Sequence, residues 1–86
     1  MPWRLDLTRR AERDLSQMAR GDRDAVERTL DRLTREFGSL NVKKMAGRPG
    51  QWRLRIGRWR AILRLDNQAG SITVLRVVPR GMAYRD

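Results

Sequence analysis

The chain has 86 residues, with 20 Lys+Arg against 10 Asp+Glu and a formal net charge of +10. It holds no cysteine and no histidine, which excludes disulfides, zinc sites of the usual kinds, Ser-His-Asp chemistry and the histidine pair of classical ribonucleases. The length suits one domain over residues 1–86, and the cationic excess points to an anionic partner bound in a salt-sensitive way.

Trp3, Leu5 and Leu7 alternate weakly and predict a first strand over residues 2–7. Thr8 is placed to cap a helix running to about Ala19, with Ala11, Leu15 and Met18 as its apolar stripe. Gly21 interrupts. Asp22 is placed to cap a second helix to about Phe37, striped by Val26, Leu30, Leu33 and Phe37, with Gly38 as its stop. The other faces of both helices are dense with Arg, Glu and Asp and are expected to be solvated. Leu40 to Gly50 reads as a loop. Two alternating strands follow on either side of Gly57-Arg58. Asp66 to Gly70 is a polar turn, and Ser71 to Val78 is β-branched enough to form a strand partly buried on both faces. The expected architecture is α+β: two N-terminal helices packed on one face of a small, mainly antiparallel sheet, in the order β-α-α-β-β-β.

The hairpin is the most informative segment. Glycine at the first position of a two-residue turn suits a type II′ hairpin. Ile56 then faces Trp59, Arg55 faces Arg60, and Leu54 faces Ala61. Cross-strand partners point the same way, so Arg53, Arg55 and Arg60 share one sheet face. Trp52, Leu54, Ile56, Trp59, Ala61 and Leu63 share the other, which makes the two tryptophans core residues rather than stacking platforms. Like charges opposed across strands are unfavourable. The arginine face is therefore either a solubilising surface or a site for an anion, and phosphate fits the guanidinium fork.

Little else in the chain carries chemistry. After Glu36 the only acidic side chains are Asp66 and Asp86, so a carboxylate pair for glycoside hydrolysis and an acidic cluster for magnesium are both missing there. Gly47-Arg48-Pro49-Gly50 lacks the spacing of a phosphate loop. No metal or other cofactor is expected. The cations Lys43, Lys44, Arg58, Arg64 and Arg76 are candidates for binding RNA or phosphate. Tyr84 is placed either to stack on a base and handle a proton, or to pack on the sheet edge. No segment approaches a membrane span and the first residues lack a signal-peptide core, so a cytoplasmic protein without a membrane partner is expected.

Several pieces, in order and at their spacings, resemble the RelE/ParE superfamily of toxins from type II toxin–antitoxin systems. They are Lys44 and Gly47, the run Trp52-Arg53-Leu54-Arg55-Ile56, the run from Trp59 to Asp66, the run from Ile72 to Val77, and the ending Arg80-x-x-x-Tyr84-Arg85. The resemblance spans nearly the whole chain and implies a RelE-like, microbial ribonuclease-type fold. Its RelE branch implies an endoribonuclease that cleaves mRNA in the ribosomal A site without metal, by attack of the ribose 2′-OH on the adjacent phosphate. Arg53 and Arg55 then match two basic residues of a strand, Arg60 and Arg80 the phosphate-stabilising arginines, and Tyr84 the C-terminal tyrosine. These five are the expected catalytic residues. The implied partners are the ribosome, mRNA and a cognate RelB-like antitoxin with an acidic or amphipathic segment. Many relatives carry histidine where this chain has Pro79. A guanidinium stays protonated and is no general base, which leaves Tyr84, Lys44 or the ribosome to move the 2′-OH proton. The same fold also hosts ParE toxins, which poison DNA gyrase and cleave no RNA; that is the alternative activity.

Overall fold

A computed structural model describes residues 3–82. The elements run β1 (Arg4–Leu7), α1 (Arg9–Ser16), α2 (Arg20–Glu36), β2 (Val42–Lys44), β3 (Gln51–Ile56), β4 (Trp59–Asp66) and β5 (Ser71–Pro79). Short 3-10 turns follow α2 at Phe37–Ser39 and β5 at Arg80–Met82. The sheet order is β1-β5-β4-β3-β2. β1 runs parallel to β5, and every other neighbouring pair is antiparallel. The α+β class and the helix-on-sheet arrangement are as expected.

The core lies between the helices and one sheet face. Val26, Leu30 and Leu33 of α2 and Ala11 and Leu15 of α1 are buried with Leu54, Ala61, Leu63, Ile72, Val74 and Val77. These are the apolar positions of both predicted stripes and of the alternating strands. Trp52 and Trp59 pack half-buried against that core, and Phe37 meets the Trp52 ring edge-on at 5.6 Å.

Four local expectations need correction. The segment from Leu40 to Gly50 is not all loop: β2 pairs Val42 with Leu54, Lys43 with Arg53 and Lys44 with Trp52. Three residues are too few to show a period, and lysines are typical of an edge strand, whose free backbone groups invite unwanted pairing. The second helix begins at Arg20, with Ala19 at its cap and no side-chain capping bond. Asp22 therefore sits in the first turn, where its charge complements the helix dipole, and binds Arg58 at 2.7 Å. The first helix stops at Ser16, although Thr8 does cap it by accepting from the Ala11 N–H at 3.1 Å. Gly38 lies in the 3-10 turn and is not among the glycines with positive φ.

The last departure concerns β5 and α1. Ile62 pairs with Arg76 while Leu63 pairs with Val74, so Leu75 is an extra residue, a bulge. β1 ends opposite Val74, which leaves the next backbone groups of β5 without a strand partner on that side. Side chains of the α1 region take them up. The Thr8 hydroxyl donates to the Leu75 carbonyl at 2.8 Å, and the Asp14 carboxylate accepts from the Val77 N–H at 2.9 Å. Asp14 also receives Nε and Nη2 of Arg76 at 2.8 and 3.1 Å. Asp14 is thus a structural tie rather than part of a solvated helix face.

Candidate nucleic-acid interface

The sheet face away from the helices carries the cations. Gly57 has φ 58°, as the first position of a primed two-residue turn requires. The register is Ile56 to Trp59, Arg55 to Arg60 and Leu54 to Ala61, as the alternation predicts. β2 then sets Lys43 opposite Arg53. Two like-charged pairs therefore lie on adjacent strands of one face. Asn41, Lys43, Arg53, Arg55, Arg60 and Arg80 line a cleft of about 180 Å³. Among the described residues its lining holds five cations and one amide and no carboxylate, an arrangement that favours an anion.

The hairpin turn fixes two of these arginines. Arg60 is not exposed as the alternation alone suggests; it is 6% accessible. Its Nη1 donates to the carbonyls of Gly57 at 2.9 Å and Trp59 at 2.8 Å. The carbonyl dipoles offset part of its charge and lock the guanidinium plane beside the cleft. The neighbouring turn carbonyl, that of Arg58, accepts the Arg80 N–H at 2.9 Å. This bond fastens the 3-10 turn after β5 to the hairpin and brings Arg80 to the cleft mouth, where it is exposed. Arg55 is exposed and Arg53 half-buried.

Not every candidate cation joins them. Lys43 does, but Lys44 has the opposite strand parity and lies 5.9 Å from the Trp52 ring centre. Arg58 is held by Asp22 and rests over Trp59 at 5.2 Å. Arg64 is exposed on the same face as Arg60 but four residues along β4, about 13 Å away. Arg76 lies at a different cavity, and Asp14 occupies its guanidinium. The hydrogen bonds that Arg76 donates to Asp14 raise its pKa further above its ordinary value. Tyr84 lies outside the described residues. Asn41, which lines the cleft, had no signal in the sequence, because it sits in a segment without periodicity. Among the described residues no group of acidic side chains converges that could hold a metal ion. No helix among them is long and apolar enough to cross a membrane.

A family model described as the ParE toxin of the type II toxin–antitoxin system parDE matches residues 5–84. The chain belongs to this toxin family. Solved structures place it within the wider RelE/ParE fold. The chain is similar to a chain of the archaeal RelE–RelB complex of Pyrococcus horikoshii, with TM-score 0.80, 22% identity and coverage of 94% of this chain and 98% of that one. It is similar to a chain of the RelBE2 toxin–antitoxin complex of Mycobacterium tuberculosis, with TM-score 0.79, 28% identity and coverage of 93% and 100%. It also resembles a chain of the chromosomal ParDE system of Pseudomonas aeruginosa, with TM-score 0.73, 18% identity and coverage of 90% and 95%. No curated protein matches the chain. As a type II toxin, the protein carries its cationic cleft on the sheet face opposite its helices.

Proposed function

We propose that this toxin is a ribosome-dependent endoribonuclease that cleaves mRNA in the A site without metal. The observation that carries the reading is the cleft itself, where the cations Lys43, Arg53, Arg55, Arg60 and Arg80 converge on one sheet face. Such a site suits a phosphate that gains charge. In the reaction the ribose O2′ bonds to the adjacent phosphorus, the P–O5′ bond breaks, and the products are a 2′,3′-cyclic phosphate and a 5′-hydroxyl. One proton leaves the 2′-OH and one reaches O5′. The arginines supply preorganised donors to the phosphoryl oxygens, where charge develops in the transition state. Among the described cleft-lining side chains Lys43 is the one that is neither a guanidinium nor an amide, and a guanidinium stays protonated. It replaces Lys44, turned towards Trp52, as the lysine suited to proton transfer, beside Tyr84 and the ribosome. An antitoxin with an acidic segment over the cleft would satisfy the same cations. Similar folds occur in complexes with RelB antitoxins.

The second reading is a ParE-like gyrase inhibitor without nuclease activity. The family model favours it, as does the inward-held Arg60 guanidinium. Primer extension on a reporter mRNA after brief expression separates the two. Cuts at codon boundaries are expected, and they should disappear with Arg80→Ala, an exposed position whose loss leaves the core intact. Loss of a comparable donor costs about 10²–10³ in rate. Uncut mRNA together with linear DNA in a gyrase cleavage assay would replace this reading with the second.

A further inference from the structure

On the helix side of the sheet, at the β1 edge, lies a groove of about 250 Å³ lined by Leu5, Leu7, Leu15, Leu30, Glu27 and Asp31. Its floor is leucine: Leu15 and Leu30 are 6% and 2% accessible, and Leu5 and Leu7 are half-buried. Its rim is acidic. Glu27 and Asp31 are exposed, one helical turn apart on α2, a like-charge spacing that destabilises a helix. Neither carboxylate has an ion pair among the described residues, as also holds for Glu12, Asp24 and Asp66, whereas Asp6, Asp14, Asp22 and Glu36 each bind an arginine; Glu27 and Asp31 are the two that line a groove. β1 is an edge strand, and β2, next to the basic cleft, is the opposite edge. The molecule is therefore polarised, with a cationic cleft near one edge and an anionic apolar groove at the other.

We infer that this groove docks a protein segment with apolar side chains flanked by lysine or arginine. The leucine floor supplies the burial and the two unpaired carboxylates supply the sign. Identifying the occupant as part of the antitoxin rests on the toxin reading above. It gives that antitoxin a charge requirement: an acidic stretch for the arginine cleft and a separate, cationic, leucine-like stretch for the groove. A uniformly acidic partner would be repelled at the rim.

The test is a titration of the isotope-labelled full chain with two short synthetic peptides. One carries leucines between lysines, and its counterpart carries the same leucines between glutamates. Affinity is read from the amide resonances of Leu5, Leu7, Leu30 and Asp31. The lysine peptide is expected to bind there about tenfold tighter at low salt, the effect of turning two attractive exposed contacts into repulsive ones. Glu27→Lys with Asp31→Lys, both at exposed positions, is expected to reverse the order while leaving distant resonances unmoved. Equal affinities, absent binding, or an order unchanged in the double variant would overturn the inference. Concentration-dependent shifts at the groove without peptide would overturn it in favour of a second copy of this chain. Failure here leaves mRNA cleavage untouched. A chain that binds the lysine peptide but does not arrest growth would retain the docking groove and lose the antitoxin identification.

Discussion

Replacing Arg60 with alanine is expected to destabilise the fold as well as silence the cleft. The guanidinium makes two hydrogen bonds to backbone carbonyls, at 2.9 and 2.8 Å, from a side chain whose residue is 6% accessible. Hydrogen bonds involving a charged group contribute about 1.5–3 kcal/mol each. Removing Arg60 also relieves its opposition to Arg55, worth roughly 0.2–1 kcal/mol, and water can reach part of the vacated turn. The net cost is about 2–4 kcal/mol. In a domain of this size about 1 kcal/mol moves Tm by roughly 4–8 °C, so a fall of roughly 8–32 °C is expected. Thermal unfolding followed by circular dichroism measures it. Arg60→Lys, which can keep one donor near the turn, should fall less. Arg55→Ala, at an exposed position, should stay within about 0.5 kcal/mol. An Arg60→Ala protein melting within about 2 °C of the parent would show that the turn does not depend on this side chain. Growth arrest lost in Arg60→Ala therefore reports folding and phosphate contact together, and Arg80→Ala is the cleaner probe of the site.

Asp14→Ala leaves the Val77 N–H without its acceptor and Arg76 without its partner, and should cost about 2 kcal/mol by denaturant titration; Asp14→Asn keeps an acceptor oxygen and should cost less, so equal losses would mean that the charge alone matters. Because Asp14 raises the Arg76 pKa, the Arg76 cation contributes fully at every pH below its unfolded value and is lost only in strong alkali. Stability between about pH 6 and pH 9 should accordingly show no step assignable to Arg76, because a guanidinium stays protonated well beyond that range. Gly57→Ala should cost about 1–2 kcal/mol, because φ 58° is left-handed. No atom lies within 4 Å of the added Cβ, so the cost is conformational, and a variant as stable as the parent would show that the turn readily changes type. Tyr84→Ala should lose more mRNA cleavage on programmed ribosomes than Tyr84→Phe, since stacking on a base is worth about 1–3 kcal/mol and an ordinary phenol is a poor base at neutral pH; severe and equal losses would give the hydroxyl the larger role.

The sheet faces were legible because period two is a strong signal in Trp52 to Ile56 and in Trp59 to Leu63, and because Gly57 marks the turn that sets their register. The helical stripes were legible for the same reason. β2 was not, since Val42 to Lys44 is too short for any period, and with it went the pairing that turns Lys43 to the cleft and Lys44 away. The burial of Arg60 was hidden for a different reason. Parity assigns a side chain to a face, but whether it reaches into solvent or folds back onto a turn carbonyl depends on backbone groups that a sequence does not display. Asp14 and Arg76 were misplaced because their meeting, 62 residues apart, is set by a bulge at Leu75 that no local pattern announces.

The strand order has a bearing on how this toxin is made. Among the described residues β5 is the last strand in chain order, yet it lies inside the sheet, between β1 and β4. Until it emerges, β1 has no neighbour, Thr8 and Asp14 have no backbone to hold, and Arg80, which follows β5, cannot be fastened to the hairpin turn. A nascent chain stopped before Ser71 should be digested by protease as readily as an unfolded one. Protection of its first helix would contradict that. With digestion as expected, an unfinished copy of the toxin would lack the assembled cleft whether or not an antitoxin is present.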